Sequence, residues 1–246
     1  MFDYQAPENL LQNKVILVTG AGAGIGRAAA LSYASKGATV ILLGRTEEKL
    51  DTVYDEIEAA GYPQAAIITL NLQTAGETDY CNLAVSLQQE FGRLDGILHN
   101  ASILGLRTPL ESYDPTIWQQ VMQINVNSTF MLTQALLPLT ENSDDASIIF
   151  TTSSVGRTGR AYWGAYAVSK FATEGLMQVL ADELDHNNNI RVNCINPGAT
   201  RTNMRAAAYP GENPSANPAA EEIMPLYLYL MGKDSKEVNG QSLNAQ

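Results

Sequence analysis

A doubly wound parallel β-sheet flanked by helices on both faces, an α/β fold in a single domain covering residues 1–246, is predicted by three observations. Short β-rich runs alternate with longer helical patterns, and the segments between the runs are long enough for crossover helices. The runs themselves are continuously apolar, Val15-Ile16-Leu17-Val18 and Val40-Ile41-Leu42-Leu43 being the clearest. A strand of a parallel sheet is covered on both faces and has no solvent side on which to place polar residues.

Residues 14–19, 39–43, 66–70, 96–99, 147–151 and 191–195 read as strands, and 27–36, 47–60 and 78–91 as helices that complete βαβ crossovers. The rhythm breaks over 205–222, where Pro210, Pro214 and Pro218 forbid a continuous helix. Long loops in compact domains are uncommon unless functional or disordered, so the stretch at about 200–222 is expected to be a mobile excursion over a ligand pocket; the alternative is a tolerated surface insertion. Residues 223–231 are apolar and aromatic and should pack back as a helix, and 241–245 suit a final edge strand.

Composition removes several function classes. Fifteen Lys+Arg against 26 Asp+Glu give a formal net charge of -11, which opposes a phosphate backbone, so no nucleic-acid partner is expected. No apolar run approaches the roughly 20 residues that span a bilayer, and the N-terminus lacks the basic and apolar regions of a signal peptide. A cytoplasmic protein with no membrane partner is the expectation. Cys81 and Cys194 lie far apart, and His99 and His186 are the only histidines, so neither a structural disulfide nor a metal site is expected.

The first strand runs into Gly20-Ala21-Gly22-Ala23-Gly24-Ile25-Gly26, which opens an Ala-rich helix. Glycines allow the backbone to approach a pyrophosphate closely, and a helix N-terminus offers unpaired N–H groups and a positive dipole end. This strand-turn-helix context points to a Rossmann-like dinucleotide site, although the spacing is Gly-x-x-x-Gly-x-Gly. At the tip of the second strand, where a carboxylate would receive a ribose 2′-OH, the chain has Gly44-Arg45. A guanidinium there suits a 2′-phosphate, which favours NADP(H) over NAD(H); Glu47 and Glu48 are close enough in sequence to neutralise it.

Tyr166 and Lys170 stand four residues apart and therefore on one helix face, with Ser153 thirteen positions before the tyrosine. A phenol of pKa about 10 is a weak acid or base near neutrality, and a nearby ammonium favours its ionised form. Ser153, at the end of a strand facing that helix, is placed to hydrogen-bond the oxygen that exchanges the proton.

Gly20, Gly24 and Gly26, His99-Asn100-Ala101-Ser102, Asn125, Ser153, Tyr166, Lys170 and Pro197-Gly198 occur in an order and spacing that resemble the short-chain dehydrogenase/reductase family over essentially the whole chain. The runs 154–166, 191–198 and 223–228 further resemble the bacterial YciK-type oxidoreductases. The resemblance implies that Tyr166 is the general acid or base. Lys170 would bind the nicotinamide ribose and lower the tyrosine pKa, Ser153 would orient the substrate oxygen, and Asn125 would hold a helix bend and a water linked to Lys170. Ser154 competes for the serine role, and the thirteen-residue spacing selects Ser153.

The implied cofactor set is Gly20, Gly22, Ala23, Gly24, Ile25, Gly26, Arg45, Asn71, Leu72, Asn100, Ala101, Ser102, Tyr166, Lys170, Pro197, Gly198, Thr200 and Thr202. Departures from the family pattern are Ser102 for glycine, Asn71 for an aspartate, and Ala23, which removes a common basic 2′-phosphate ligand. The implied reaction is reversible hydride transfer between NADP(H) and a small-molecule carbonyl/secondary-alcohol pair, the other reading being a nucleotide-binding regulator. Pairing through the helices holding Asn125 and Tyr166 is also implied, giving a homodimer or homotetramer, but Leu176, Met177, Val179 and Leu180 fit either an interface or sheet packing. Leu104, Leu106, Trp163, Met204 and Tyr209 suggest a partly apolar substrate pocket.

Overall fold

The computed structural model describes residues 1–186 and 189–246. Its strands are β1 (Val15–Thr19), β2 (Thr39–Gly44), β3 (Ala66–Thr69), β4 (Gly96–His99), β5 (Ala146–Thr151), β6 (Ile190–Asn196) and β7 (Ser242–Asn244). The helices are α1 (Gly24–Ser35), α2 (Glu47–Ala59), α3 (Glu77–Glu90), α4 (Pro115–Met122), α5 (Ser128–Glu141), α6 (Gly164–Glu183), α7 (Asn203–Ala208) and α8 (Met224–Met231). The strands form one seven-stranded sheet in the order β3-β2-β1-β4-β5-β6-β7. Every pairing is parallel.

Alternation along the strands distributes side chains to two apolar layers. Ile16, Val18, Val40 and Leu42 join α1, α2 and α8 on one face, through residues such as Ala29, Tyr33, Val53 and Tyr227. Leu17, Ile41 and Leu43 join α3, α5 and α6 on the other, against Leu83, Leu136 and Met177. Both faces are dry, which is why the strands read as unbroken apolar runs.

Boundaries differ from the sequence expectation where packing overrides local preference. Helix α1 begins at Gly24, ahead of the expected 27, because the glycines that disfavour a helix in isolation are required by close contact between α1 and the tip of β1. In agreement with the sequence, the prolines of 205–222 prevent one helix: α7 ends before Pro210, and only short 3-10 turns at Pro214–Ala216 and Ala220–Ile223 lie between it and α8. Strand β7 pairs with β6 at the sheet edge.

The end of the sheet opposite the strand tips is fastened by charge. Asp145, just before β5, pairs with Lys14 at 2.6 Å and with Arg191 of β6. Arg191 is only 2% exposed, and its guanidinium also donates to the Gly232 carbonyl at 3.2 Å. These cations hold the Asp145 carboxyl below its usual range against the opposing effect of burial. The stability it contributes is complete above the unfolded value near 3.8 and is lost as pH falls through the lower folded value. Asp145→Asn is therefore expected to cost about 3 kcal/mol at pH 7 by leaving Arg191 without its counter-charge. Urea unfolding at pH 7 and pH 3 checks this: the loss should shrink at the lower pH, and an equal loss at both would refute the assignment.

Candidate active site

Strand order reverses between β1 and β4, the chain running from β1 outward to β2 and β3 but from β4 toward β7. The loops at the strand tips part there, and ligands of open α/β sheets bind in the resulting crevice. A cleft of about 650 Å³ occupies it, lined at one end by the glycine turn and Arg45 and at the other by Ser153 and Tyr166.

The glycine turn is shaped by contacts that a side chain would obstruct. Gly20 has φ +68°, and a β carbon on it would lie 3.1 Å from Ala101 Cα. A β carbon on Gly26 would overlap the Gly20 carbonyl oxygen and come within 2.7 Å of Asn100 Nδ2. Thr19 ties the same region together, its hydroxyl accepting from the N–H groups of Asn100 at 2.9 Å and Ala101 at 3.0 Å. Helix α1 has no side-chain cap at Ala23, so its first N–H groups remain available at the cleft. This cradle and uncapped N-terminus fit a dinucleotide pyrophosphate.

Gly20, Gly22, Ala23, Gly24 and Ile25 line the cleft, whereas Gly26 lies behind it as the packing point of α1. Arg45, Asn71, Leu72, Asn100, Ala101 and Ser102 line the nucleotide side. The Asn71 side-chain carbonyl accepts from Gln73 N at 3.1 Å, closing its own turn as well as facing the cleft. Pro197, Gly198, Thr200 and Thr202 line the opposite rim. Thr202 caps α7 by accepting from Arg205 N at 3.1 Å, and the Gln246 amide holds the rim by donating to the Pro197 carbonyl at 2.6 Å.

Ser153 comes one residue beyond β5, after Thr152, in extended conformation and leads into a 3-10 turn, Ser154–Gly156. Gly156 lets that turn seat directly on α6, since a β carbon there would lie 2.8 Å from the Lys170 backbone. Arg157 then fastens the turn, pairing with Glu174 of α6 at 3.1 Å and donating to Ser242 Oγ at 2.6 Å and Asn244 Oδ1 at 2.7 Å in β7. Ser153 is thereby set beside Tyr166, close enough to lower its proton affinity. Ser154 is exposed and outside the cleft.

Burial dominates the proton affinities. It pushes the Tyr166 phenol up to about 12, with neighbouring Ser153 pulling the other way. It pushes Lys170 down to about 8. The lysine's ammonium is 5.6 Å from the Tyr166 ring centre and donates to the Thr151 carbonyl at 2.8 Å. Where the sequence suggests that Lys170 lowers the tyrosine, desolvation is the largest influence on Tyr166 and Ser153 is the group that lowers it.

Asn125 and Lys170 do not line the cleft. Asn125 lies in a π-helical turn, Gln123–Asn127, that joins α4 to α5. Its Oδ1 accepts from Ile103 N at 2.9 Å, while its Nδ2 donates to the Ile103 carbonyl and to Ser169 Oγ, each at 3.0 Å. It splices the loop after β4 to the helix carrying Tyr166 and Lys170, and the helix bend is this π turn.

Leu104, Trp163 and Met204 line the substrate end, whereas Leu106 is exposed and Tyr209 stands behind Trp163 at 6.0 Å between ring centres. Sequence reasoning missed Thr46, Lys49, Thr152 and Arg201 as cleft residues. The signal for Lys49 was available, a second cation four residues after Arg45; Thr152 gave none beyond its place next to Ser153.

A buried ammonium has a measurable cost. Because Lys170 titrates near 8 when folded against 10.5 when unfolded, the unfolded chain binds the extra proton between those values and stability rises with pH across that window. Lys170→Met is expected to raise the melting temperature at pH 7 by roughly a few degrees in the absence of nucleotide, a gain that fades above pH 10. Calorimetry at the two pH values measures it, and a lowered melting temperature at pH 7 would contradict it.

The family model for short chain dehydrogenase matches residues 14–213. The chain is 55% identical over 243 residues, 99% of its length and 96% of the relative's, to the Escherichia coli (strain K12) protein described as the uncharacterized oxidoreductase YciK. Among solved structures, a short chain dehydrogenase from Shigella flexneri 2a str. 301 complexed with NADP is 55% identical with TM-score 0.95, covering 98% of this chain and 100% of that one. One from Escherichia coli CFT073 complexed with NADPH is 56% identical with TM-score 0.95, covering 98% and 99%. With the glycine turn, the strand-order reversal, Ser153 and Tyr166 at one cleft and Lys170 behind the tyrosine, this chain belongs to the short-chain dehydrogenase/reductase family of oxidoreductases, which act on CH–OH or carbonyl groups.

Proposed function

We propose that the protein interconverts a carbonyl and a secondary alcohol with NADP(H), Tyr166 moving the proton. The observation that carries this reading is the buried Tyr166 phenol, beside Ser153 and close to Lys170, at the far end of the cleft from the glycine turn. The nicotinamide supplies the hydride when bound. Burial keeps the phenol protonated at neutral pH, the form that donates a proton in the reductive direction. Ser153 donates to the substrate oxygen and orients it; Lys170, bonded to the Thr151 carbonyl and set behind the cleft lining, supports Tyr166 from the next turn of α6. Arg45 supports NADP(H): it lines the cleft and forms no ion pair with Glu47 or Glu48.

The substrate wall formed by Leu104, Trp163, Met204 and Ala208 supports an uncharged, apolar group beside the reacting carbonyl. Residues of the excursion, including Met204 and Ala208, make up part of this wall, and their movement admits the substrate. Tyr166→Phe is expected to lower kcat by roughly 10²- to 10⁴-fold on whichever compound of a ketone and aldehyde panel is turned over. NADPH affinity, followed by cofactor fluorescence, should be retained. NADPH binding with no turnover by the unmodified protein would instead favour a nucleotide-binding regulator.

Self-association through α5 and α6 is part of the same reading. Met177 and Leu180 are buried in the sheet layer, while Phe130, Val168, Phe171 and Val179 are 48%, 41%, 45% and 56% exposed. Apolar side chains exposed on adjoining helices favour a homodimer or homotetramer. Phe171→Glu should shift the mass measured by light scattering after size exclusion to that of a monomer; an unchanged mass would sink this interface.

A further inference from the structure

The body of the protein carries a net charge of -11, yet the charged residues at the cleft are Arg45, Lys49, Arg201 and Arg205, with no aspartate or glutamate. Two of these cations are already engaged. Arg205 pairs with Glu212 at 2.5 Å, and Arg201 donates to the Asn217 carbonyl at 3.2 Å. Arg45 and Lys49 have no side-chain hydrogen bond or ion pair among the described residues, despite Glu47 and Glu48 between them.

The position of Lys49 is set by the glycine turn. A β carbon on Gly22 would lie 2.9 Å from Lys49 Cβ and 3.5 Å from the Lys49 carbonyl carbon. Glycine at 22 therefore lets the first turn of α2 close onto the β1–α1 connection, with the stem of Lys49 against it and both Arg45 and Lys49 lining the cleft. The turn itself offers no cation, its side chain at 23 being a methyl group. A phosphomonoester carries about -1.5 to -2 charge near neutrality, more than one guanidinium neutralises.

We propose that Lys49 is a second specificity-determining ligand for the cofactor 2′-phosphate, supplying from α2 the charge that the glycine turn lacks. This rests on NADP(H) being the cofactor. Arg45 recognises the phosphate through its planar fork, and Lys49 adds a point charge that reaches it only because residue 22 has no side chain. Gly22 is thus a determinant of cofactor choice as well as of turn shape.

The test needs no substrate. Calorimetric titration with 2′,5′-ADP and with 5′-AMP separates the 2′-phosphate from the rest of the nucleotide. Lys49→Met keeps the stem and removes the charge. It should weaken 2′,5′-ADP binding roughly tenfold, leave 5′-AMP binding unchanged and reduce the salt dependence of the former. Lys49→Arg should retain the preference, and Gly22→Ala should lose part of it. Equal losses for both ligands would assign Lys49 to the shared part of the nucleotide or to the fold, and no loss would leave Arg45 alone as the reader; either overturns the proposal. If the unmodified protein binds the two ligands equally, it is the NADP(H) reading that fails, and this proposal with it.

Discussion

The cleft depends on the close approach of α1 to the tip of β1. Gly26 abuts the Gly20 carbonyl with no room for a β carbon, and Gly20 in turn abuts Ala101 beyond β4. The contact aims the N-terminus of α1 at the gap between β1 and β4, where the strand order reverses. Without that aim, the uncapped N–H groups of the helix would face solvent or sheet rather than a ligand. The Thr19 hydroxyl, bonded to the backbone of Asn100 and Ala101, holds the two strand tips at the separation the contact requires. The nucleotide end of the cleft is therefore built from backbone, and missing side chains matter more there than present ones.

The other end is governed by desolvation. One buried environment moves Tyr166 and Lys170 in opposite directions, raising the phenol and lowering the amine. Holding an ammonium inside the protein is unfavourable, and the surrounding structure offsets part of the cost. The Thr151 carbonyl accepts from Lys170, Gly156 brings the serine turn onto its backbone, and the Arg157, Glu174 and Ser242 cluster anchors that turn to the edge strand. Asn125 closes the arrangement from the opposite side through Ser169 and Ile103. Sites that preorganise charge in this way commonly give up stability for function.

Charge is also segregated at the scale of the whole molecule. An acidic exterior surrounds a cleft whose charged residues are cations, two of them without protein partners among the described residues. The exterior favours solubility and repels polyanions, while the local field of the cleft favours one compact anion. Net charge alone would have argued against a phosphate-bearing ligand; the placement of Arg45 and Lys49 reverses that conclusion locally.

The sequence by itself determined the sheet, its parallel sense, the glycine turn and the grouping of Ser153, Tyr166 and Lys170. Apolar periodicity and glycine spacing are local and survive in one dimension: Val15 to Val18 must be buried on both faces, and Tyr166 and Lys170 must share a helix face. Tertiary structure decided what depends on neighbours distant in the chain. It set the proton affinity of Tyr166, which burial raises, and it placed Asn125 as a splice behind the cleft rather than on its wall. It sent Met177 and Leu180 to the core but left Val179 exposed, a division fixed by how α6 is rotated against the sheet. It brought Lys49 onto Gly22, a contact between two elements that no local pattern encodes. Desolvation and close packing are properties of surroundings, and surroundings exist only once the chain has folded.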